Sequence, residues 1–178
     1  LYPGSKIVIA SATKRQSRLI VTEKIEKEIL PNSPNLAREI KDIKSLSNDE
    51  MEVSFWNGSS MVVVPANDNA RGNRATCIIY EEFRMIPKNI IDSVLSPFLM
   101  IRPVPYLKNE KYSHLKEEPV ELYISSAWYK QHWMWDTMKY FAREMLSGKD
   151  VYLLGFDYAI TLKHNIRTER QLRNERKK

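Results

Sequence analysis

The sequence predicts a three-layer α/β fold built around a mostly parallel sheet. Short β-rich runs alternate along the chain with longer segments whose apolar residues recur at helical spacing. Two of these runs are joined by Asn57-Gly58, a strong signal for a β-hairpin. With 178 residues, 43% of them hydrophobic, the chain is long enough for one domain with a substantial core. We therefore expect helices on both faces of the sheet and an inserted antiparallel hairpin.

The first predicted strand and helix follow one another directly. Residues 6–10 form a short β-rich run after Pro3-Gly4, which is typical of a strand. The apolar residues of the next segment recur at helical spacing as far as Pro31, which predicts a helix. The hydroxyls of Ser11 and Thr13 are candidate N-caps for it.

A second helix and the hairpin complete the first half of the chain. Ser33-Pro34 can begin a helix because proline fits the first turn, and we expect this helix to end near Lys41. The strand-like runs at 52–56 and 60–64 flank the Asn-Gly dipeptide, so we expect them to pair antiparallel.

The second half continues the alternation. The predicted strands are residues 77–80, 120–124 and 150–156. One predicted helix begins at Pro87, and another runs from about Lys130 to Leu146, where Gly148 stops it. Residues 102–120, rich in proline, lysine and glutamate, are expected to form an exposed insertion.

The net charge of +6 lies mostly in the tail. Residues 163–178 hold seven Lys or Arg against two Glu, so the rest of the chain is almost neutral. A polyanionic partner agrees with this charge but is not required by it.

Several classes of site are disfavoured. The longest apolar runs span only a few residues, so no membrane span is predicted. The single cysteine, Cys77, rules out an internal disulfide and is expected to be a small buried residue in a reducing cytoplasm. The histidines lack ligand spacing, which disfavours zinc, and no Ser-His-Asp order or nuclease acid cluster is evident.

Aromatic residues crowd the predicted start of the helix near Lys130. They are Trp128, Tyr129, Trp133, Trp135 and Tyr140. We expect them to pack this helix onto the sheet; the alternative is a stacking platform for single-stranded nucleic acid.

The most informative motif is a pair of carboxylates at the end of a predicted strand. Residues 77–80 lead directly into Glu81 and Glu82. The carboxyl ends of parallel strands form the edge where α/β proteins bind ligands. In P-loop ATPases such a strand carries one acid that supports magnesium and a second that orients the attacking water. The alternative is a buried strand that ends in a solvated acidic turn.

A complete nucleotide site would also need a phosphate-binding loop. The motif G-x-x-x-x-G-K-[ST] is absent from the sequence, and Gly148-Lys149 lacks a glycine at position 143. In such folds the loop belongs to the strand before the first one seen here, within a unit of roughly 30 residues. Because the chain begins with Leu1 and runs almost at once into a strand, we expect a fragment that has lost this strand and loop.

Six short motifs resemble a known family by their order. They are residues 7–16, 53–59, 63–66, 70–74, 78–84 and 124–127. Together they look like the ATPase domain of tailed-phage terminase large subunits. The resemblance implies a RecA-like fold of the P-loop NTPase (ASCE) type, with the first strand and P-loop missing. Residues 1–162 would be the partial ATPase domain, and residues 163–178 a basic linker toward an absent nuclease domain.

The resemblance also assigns roles to the polar residues at the predicted sheet edge. It places Glu81 at the Walker B acid, which holds Mg²⁺ through water, and Glu82 at the catalytic carboxylate. The family usually has Asp at the first position, so Glu81 is a departure. Ser125, Ser126 and Ala127 fall at the coupling motif, with the two serines in the cofactor-binding set.

Basic residues receive roles in the same way. Arg71 and Arg74 fall in the loop where such motors place a charge-stabilising arginine, which can reach a neighbouring subunit's nucleotide. The alternative is a salt bridge or carbonyl contact that fixes the loop. Lys14, Arg15 and Arg18 resemble a helicase-type motif that touches nucleic acid or supports the nucleotide pocket; the alternative is a solvated helix start.

For the full-length protein, the resemblance implies an ATP-driven motor that packages double-stranded DNA. The implied cofactors are ATP and Mg²⁺. The implied partners are double-stranded DNA, a portal protein and a small terminase subunit, with a homo-oligomeric ring on the procapsid in the host cytoplasm. A helicase-type DNA translocase and a non-catalytic DNA-binding or interaction domain from a degenerate prophage gene are the alternatives. Without the phosphate loop, we expect the chain alone not to hydrolyse ATP.

Overall fold

The computed structural model describes residues 3–101, 105–116 and 118–175. The chain forms two compact units, residues 1–133 and residues 134–178, which are described separately. The predicted boundary between residues 162 and 163 stays a prediction.

A six-stranded sheet organises the first unit. Its strands are β1 (Lys6–Ser11), β2 (Ile40–Ser45), β3 (Met51–Phe55), β4 (Ser60–Pro65), β5 (Cys77–Glu81) and β6 (Val120–Ile124). Their order across the sheet is β2-β3-β4-β1-β5-β6. Strand β1 pairs parallel with β4 and β5, and β5 pairs parallel with β6. Strand β3 pairs antiparallel with β2 and β4. The predicted mostly parallel sheet with an antiparallel hairpin is confirmed.

The hairpin turn follows from its Asn-Gly dipeptide. Gly58 adopts φ +81°, a left-handed conformation that glycine adopts at little cost. The Asn57 side-chain oxygen accepts a hydrogen bond from the backbone N–H of Ser59 at 3.0 Å. These features connect β3 to β4 in the predicted register of neighbouring strands.

Strand β2 replaces the predicted end of the second helix. Helix α3 (Pro34–Glu39) ends two residues before Lys41, and β2 begins at the next residue, Ile40. The run Ile-Lys-Asp-Ile-Lys-Ser has only two apolar residues, so it carries little strand signal. Its strand conformation depends on pairing with β3 at the edge of the sheet.

The first predicted helix is confirmed, with a widened middle. It comprises α1 (Lys14–Leu19), a π-helical stretch (Ile20–Ile29) and α2 (Leu30–Asn32). Thr13 is the N-cap, since its Oγ1 accepts a hydrogen bond from the Gln16 N–H at 3.2 Å. Ser11 instead lies in β1, where its buried hydroxyl bonds to that of Ser17 at 2.7 Å.

Helical segments cover both faces of the sheet, so the three predicted layers are present. On one face, Val21 and Ile25 pack with Ile9, Val53 and Val63 in the hydrophobic core.

The second face is covered by the segment predicted to begin at Pro87. It comprises α4 (Lys88–Ile90), a π-helical turn (Ile91–Leu95) and a 3₁₀ turn (Ser96–Phe98). Strand alternation turns Tyr80 away from the first core, and its hydroxyl lies 3.0 Å from that of Ser96.

The remaining elements agree only in part with the predictions. The helix near Lys130 is α5 (Trp133–Leu146), and Gly148 follows it at φ +79°. Helices α6 (Tyr158–Lys163) and α7 (Glu169–Glu175) occupy the tail. The predicted strand at 150–156 is wrong: these residues have no regular secondary structure and do not pair with another strand. Within the described residues, no helix is long and apolar enough to cross a membrane.

Two smaller expectations need comment. The part of the predicted insertion that the structure describes consists of two 3₁₀ segments, Pro105–Lys108 and Glu110–Leu115. Residues 102–104 and 117 lie outside the described residues. Cys77 was expected to be buried, but it is half-buried in β5.

Candidate functional site

The carboxyl ends of the four parallel strands meet at one edge of the sheet. In register, Ser11 of β1 lies beside Pro65 of β4 and beside Glu81 of β5, and Glu81 lies beside Ile124 of β6. The residues that follow these strand ends therefore share the edge where open α/β sheets bind ligands. The predicted meeting of the acid pair with the segment after β6 is found here.

Glu82 has an unusual backbone conformation at this edge. Its φ of 50° and ψ of 49° place it in the left-handed region, which costs a non-glycine residue about 1–2 kcal/mol. Such conformations persist where the surrounding contacts impose them, and they concentrate at functional sites. The turn directs the chain from β5 into the 3₁₀ segment Phe83–Met85.

Three donors hold the Glu82 carboxylate. Arg84 Nε–H donates to Oε2 at 2.9 Å, and the Ser125 hydroxyl donates to the same oxygen at 3.2 Å. The Ser126 hydroxyl donates to Oε1 at 3.4 Å. The two predicted cofactor-binding serines thus contact the predicted catalytic carboxylate directly.

Glu81 lies beside Glu82 and is half-buried. Burial raises the pKa of the Glu81 carboxyl, and the negative charge of Glu82 raises it further. A cation at this edge would relieve both effects, since it would stabilise the ionised form of Glu81.

The oxygen donors at the edge suit part of a magnesium–nucleotide site. Carboxylate and hydroxyl oxygens are hard ligands, which Mg²⁺ prefers. Within the part of the chain that the structure describes, no group of three or more His, Cys, Asp or Glu residues forms a protein-only metal site. Mg²⁺ often binds through one or two carboxylates together with substrate phosphates and water, so the acid pair fits that role.

Arg71 and Arg74 lie at the other end of β5. They precede the strand, whereas the acid pair ends it, and a five-residue strand spans roughly 15 Å. Arg71 donates to Asp68 Oδ1 at 3.0 Å and to the Ser93 carbonyl at 3.3 Å. Arg74 donates to the Asn73 carbonyl at 3.4 Å. Both are exposed, so a role in charge stabilisation would act on a site other than the edge with Glu81.

The basic residues of α1 begin at the same edge as the acid pair. Lys14 Nζ lies 2.5 Å from Asp49 Oδ2, and Arg18 donates to the Asn48 carbonyl at 3.1 Å. These contacts attach α1 to the loop between β2 and β3. Arg15 is exposed on the same helix.

The sequence analysis missed Arg84 and its aromatic partner. The guanidinium carbon of Arg84 lies 4.2 Å from the centre of the Trp128 indole, in a cation–π arrangement. Trp128 also contacts Tyr129, with ring centres 4.9 Å apart. The only sequence signal was the position of Arg84 two residues after Glu82 in the acidic motif. Of the aromatic cluster, Trp133 packs edge-on against Phe83, as expected for a packing role.

A second polar cluster joins β5 to β6 and was also missed. The Tyr80 hydroxyl donates to Glu121 Oε1 at 2.6 Å, and the Ser96 hydroxyl donates to the same oxygen at 2.9 Å. Burial and the neighbouring Glu121 raise the pKa of Tyr80, so the phenol stays protonated and remains a donor. The cluster therefore fixes the segment 88–98 against the last two strands.

Comparisons with known proteins find similarity at the level of structure only. No protein-family model matches the chain, and no curated protein matches it. Solved structures that resemble it include the large terminase ATPase domain of Thermus phage P74-26 (16% identity, TM-score 0.43, covering 77% of this chain and 53% of that chain). The large terminase of bacteriophage HK97 is 12% identical (TM-score 0.48, covering 88% and 30%). The large terminase of another thermophilic bacteriophage, in complex with ADP, is 14% identical (TM-score 0.39, covering 70% and 33%).

These values limit what the similarity means. The resemblance to phage large terminase ATPase domains is confirmed as a structural similarity over most of the chain. The chain spans about half of the Thermus phage domain and about a third of the other two proteins. At these identities and TM-scores, the similarity does not identify what the chain binds or hydrolyses.

Proposed function

We propose that this chain is part of the ATP-hydrolysing motor domain of a terminase large subunit, with its acidic half-site at the carboxyl edge of β5. The observation that carries the proposal is the contact of Glu82 with both Ser125 and Ser126 beside the half-buried Glu81. The order of the six sequence motifs supports the same function. The full-length protein would move double-stranded DNA into a procapsid with a portal protein and a small terminase subunit, as a homo-oligomeric ring.

In this proposal, the two acids have different tasks. Glu81 holds the metal through its hydration shell, and Mg²⁺ supplies charge neutralisation at the nucleotide phosphates. Glu82 orients the attacking water. Its Oε1 is the better placed oxygen, because the bond from Ser126 at 3.4 Å is the longest of the three. Arg84 and Ser125 hold the carboxylate in a fixed orientation through Oε2.

Binding of Mn²⁺ with ATP tests the half-site directly. Mn²⁺ occupies magnesium sites and broadens nearby NMR signals, so weak binding is detectable without turnover. With the ¹⁵N-labelled chain, we expect ATP-dependent broadening of the amides at 81–82 and 125–127. Glu81→Gln should reduce it. Glu52→Gln is the matched control, because Glu52 is also an ion-paired acid of the sheet, bound to Lys44 on the hairpin.

Two outcomes would contradict the proposal. One is the lack of ATP-dependent broadening at this edge, and the other is equal broadening in Glu81→Gln. DNA affinity with a steep salt dependence, unchanged by substitution of both acids, would favour the non-catalytic DNA-binding alternative.

The upstream coding sequence provides an independent test. We expect an in-frame strand followed by a glycine-rich loop with a lysine, within the roughly 30 residues of one strand–helix unit. A start codon directly before Leu1 would leave the acids without a phosphate-binding loop and would contradict the motor function.

A further inference from the structure

Arg84 contacts two groups that lie on different segments of the chain. Its Nε–H donates to Glu82 Oε2 at 2.9 Å, and the face of its guanidinium lies 4.2 Å from the Trp128 ring centre. The side chain is only 20% exposed, so both contacts are shielded from water and strengthened accordingly. A planar guanidinium makes both contacts at once because its edge donates while its face stacks.

Trp128 brings the segment after β6 into this arrangement. Ser125 and Ser126 contact Glu82 directly, and Trp128 contacts it through Arg84. Trp128 and Tyr129 are 45% and 69% exposed, so they form an aromatic pair at the surface. The Glu82 carboxylate is therefore linked to an exposed surface feature by one intervening side chain.

We propose that Arg84 is a positioning residue that couples the Glu82 carboxylate to the Trp128–Tyr129 pair. Oε2 accepts from both Arg84 and Ser125. A ligand that draws the carboxylate toward itself weakens the Arg84 bond, and Arg84 then changes its stacking on Trp128. The state of the sheet edge is thereby transmitted to the surface. The coupling is a property of the chain itself; only the identity of the ligand rests on the proposed function.

NMR of the full chain measures this coupling without nucleotide. An indole ring shifts the signals of a group stacked on its face, so the Arg84 Cδ–H and Nε–H signals report the stacking on Trp128. Trp128→Leu defines the signal positions without stacking. We expect Glu82→Gln to move the Arg84 signals toward those positions and to shift the Trp128 indole N–H.

Two further variants separate coupling from general disruption. Glu81→Gln removes the neighbouring carboxylate but leaves the Glu82–Arg84 contact in place, so the Arg84 and Trp128 signals should stay close to those of the native chain. Arg84→Lys retains the charge but lacks the planar fork. In that variant, we expect Glu82→Gln to have no effect on the Trp128 indole signal, while the rest of the amide spectrum confirms the fold.

The proposal is overturned if Glu82→Gln leaves the Arg84 signals unchanged, since the stacking would then be independent of the carboxylate. It is also overturned if Glu82→Gln shifts the Trp128 signal equally with Arg or Lys at position 84. Because neither measurement uses ATP, a failure here is distinct from a failure of Mn²⁺–ATP to bind at the edge.

Discussion

At the scale of single residues, Glu82 combines a strained backbone with a fully used side chain. Its left-handed conformation has φ 50°, and its carboxylate accepts bonds from Arg84, Ser125 and Ser126. The contacts on the side chain offset the backbone cost, so the local sequence alone would not favour this turn. This combination makes the effect of small substitutions predictable.

Glu82→Gly should be more stable than Glu82→Ala by about 1 kcal/mol, because both lose the carboxylate contacts and only alanine keeps the left-handed strain. Urea unfolding of the two variants measures the difference. At Glu81, which lies in β5, the order should reverse, since glycine in a strand costs about 0.5–1 kcal/mol relative to alanine. Equal stabilities at position 82 would show that the strain is not real.

The Glu81 carboxyl should make folding stability depend on pH. Burial and the charge of Glu82 raise its pKa above the ordinary 4.5, so the folded chain binds this proton more tightly than the unfolded chain. Its contribution to the free energy of unfolding therefore falls as the pH rises from 4.5 through the raised pKa, and the ionised acid is destabilising at neutral pH.

Glu81→Gln should consequently increase the free energy of unfolding at pH 7, and the gain should shrink below pH 4.5, where Glu81 is protonated in both states. Urea unfolding across this pH range measures it. The exposed Glu26→Gln is the control, expected to change stability little at any pH. A loss of stability in Glu81→Gln at pH 7 would contradict the argument.

At the scale of elements, the segment from Lys14 to Asn32 depends on how it begins. The Thr13 hydroxyl satisfies an N–H of the first turn, and Ser11 and Ser17 join the helix start to the end of β1. The rest of the segment is held by the packing of Val21 and Ile25 on the sheet. Packing of this kind tolerates the π-helical stretch in the middle.

Thr13→Ala should lower the free energy of unfolding by about 1 kcal/mol, the usual cost of losing an N-cap. Thr22→Ala is the matched control inside the same segment, where the threonine hydroxyl only bonds back to the Arg18 carbonyl and alanine is the better helix former. Chemical denaturation of both variants decides the matter; equal losses would assign the effect to threonine burial and not to capping.

At the scale of the whole molecule, order is concentrated in the centre of the sheet. Strand β1 is paired on both sides, and Val8 and Ala10 within it are completely buried. The segment 150–156 is its opposite, with Tyr152, Leu154 and Phe156 highly exposed and no regular secondary structure.

Amide hydrogen exchange should reflect this contrast. We expect the slowest exchange in β1 and its neighbours β4 and β5, because their amides open only with the sheet. Residues 151–156 should be among the fastest to exchange. Strong protection of 151–156 in the purified chain would show that this segment is a strand after all.

Much of the fold was determined by the sequence by itself. The apolar runs specified five of the six strands, Asn57-Gly58 specified the hairpin, and Thr13 specified the start of the first helix, because each signal lies within a few adjacent residues. The acid pair was also evident, since it directly follows the run that forms β5.

Only the tertiary structure decided which distant residues meet. Strand β2 has little signal of its own and exists by pairing with β3, whereas 150–156 has a strong strand signal but does not pair. Glu82 lies more than forty residues from Ser125 and Ser126, and Arg84 is equally remote from Trp128. Local patterns determine which conformation a segment favours, but strand pairing and side-chain contacts require partners that only the assembled sheet brings together.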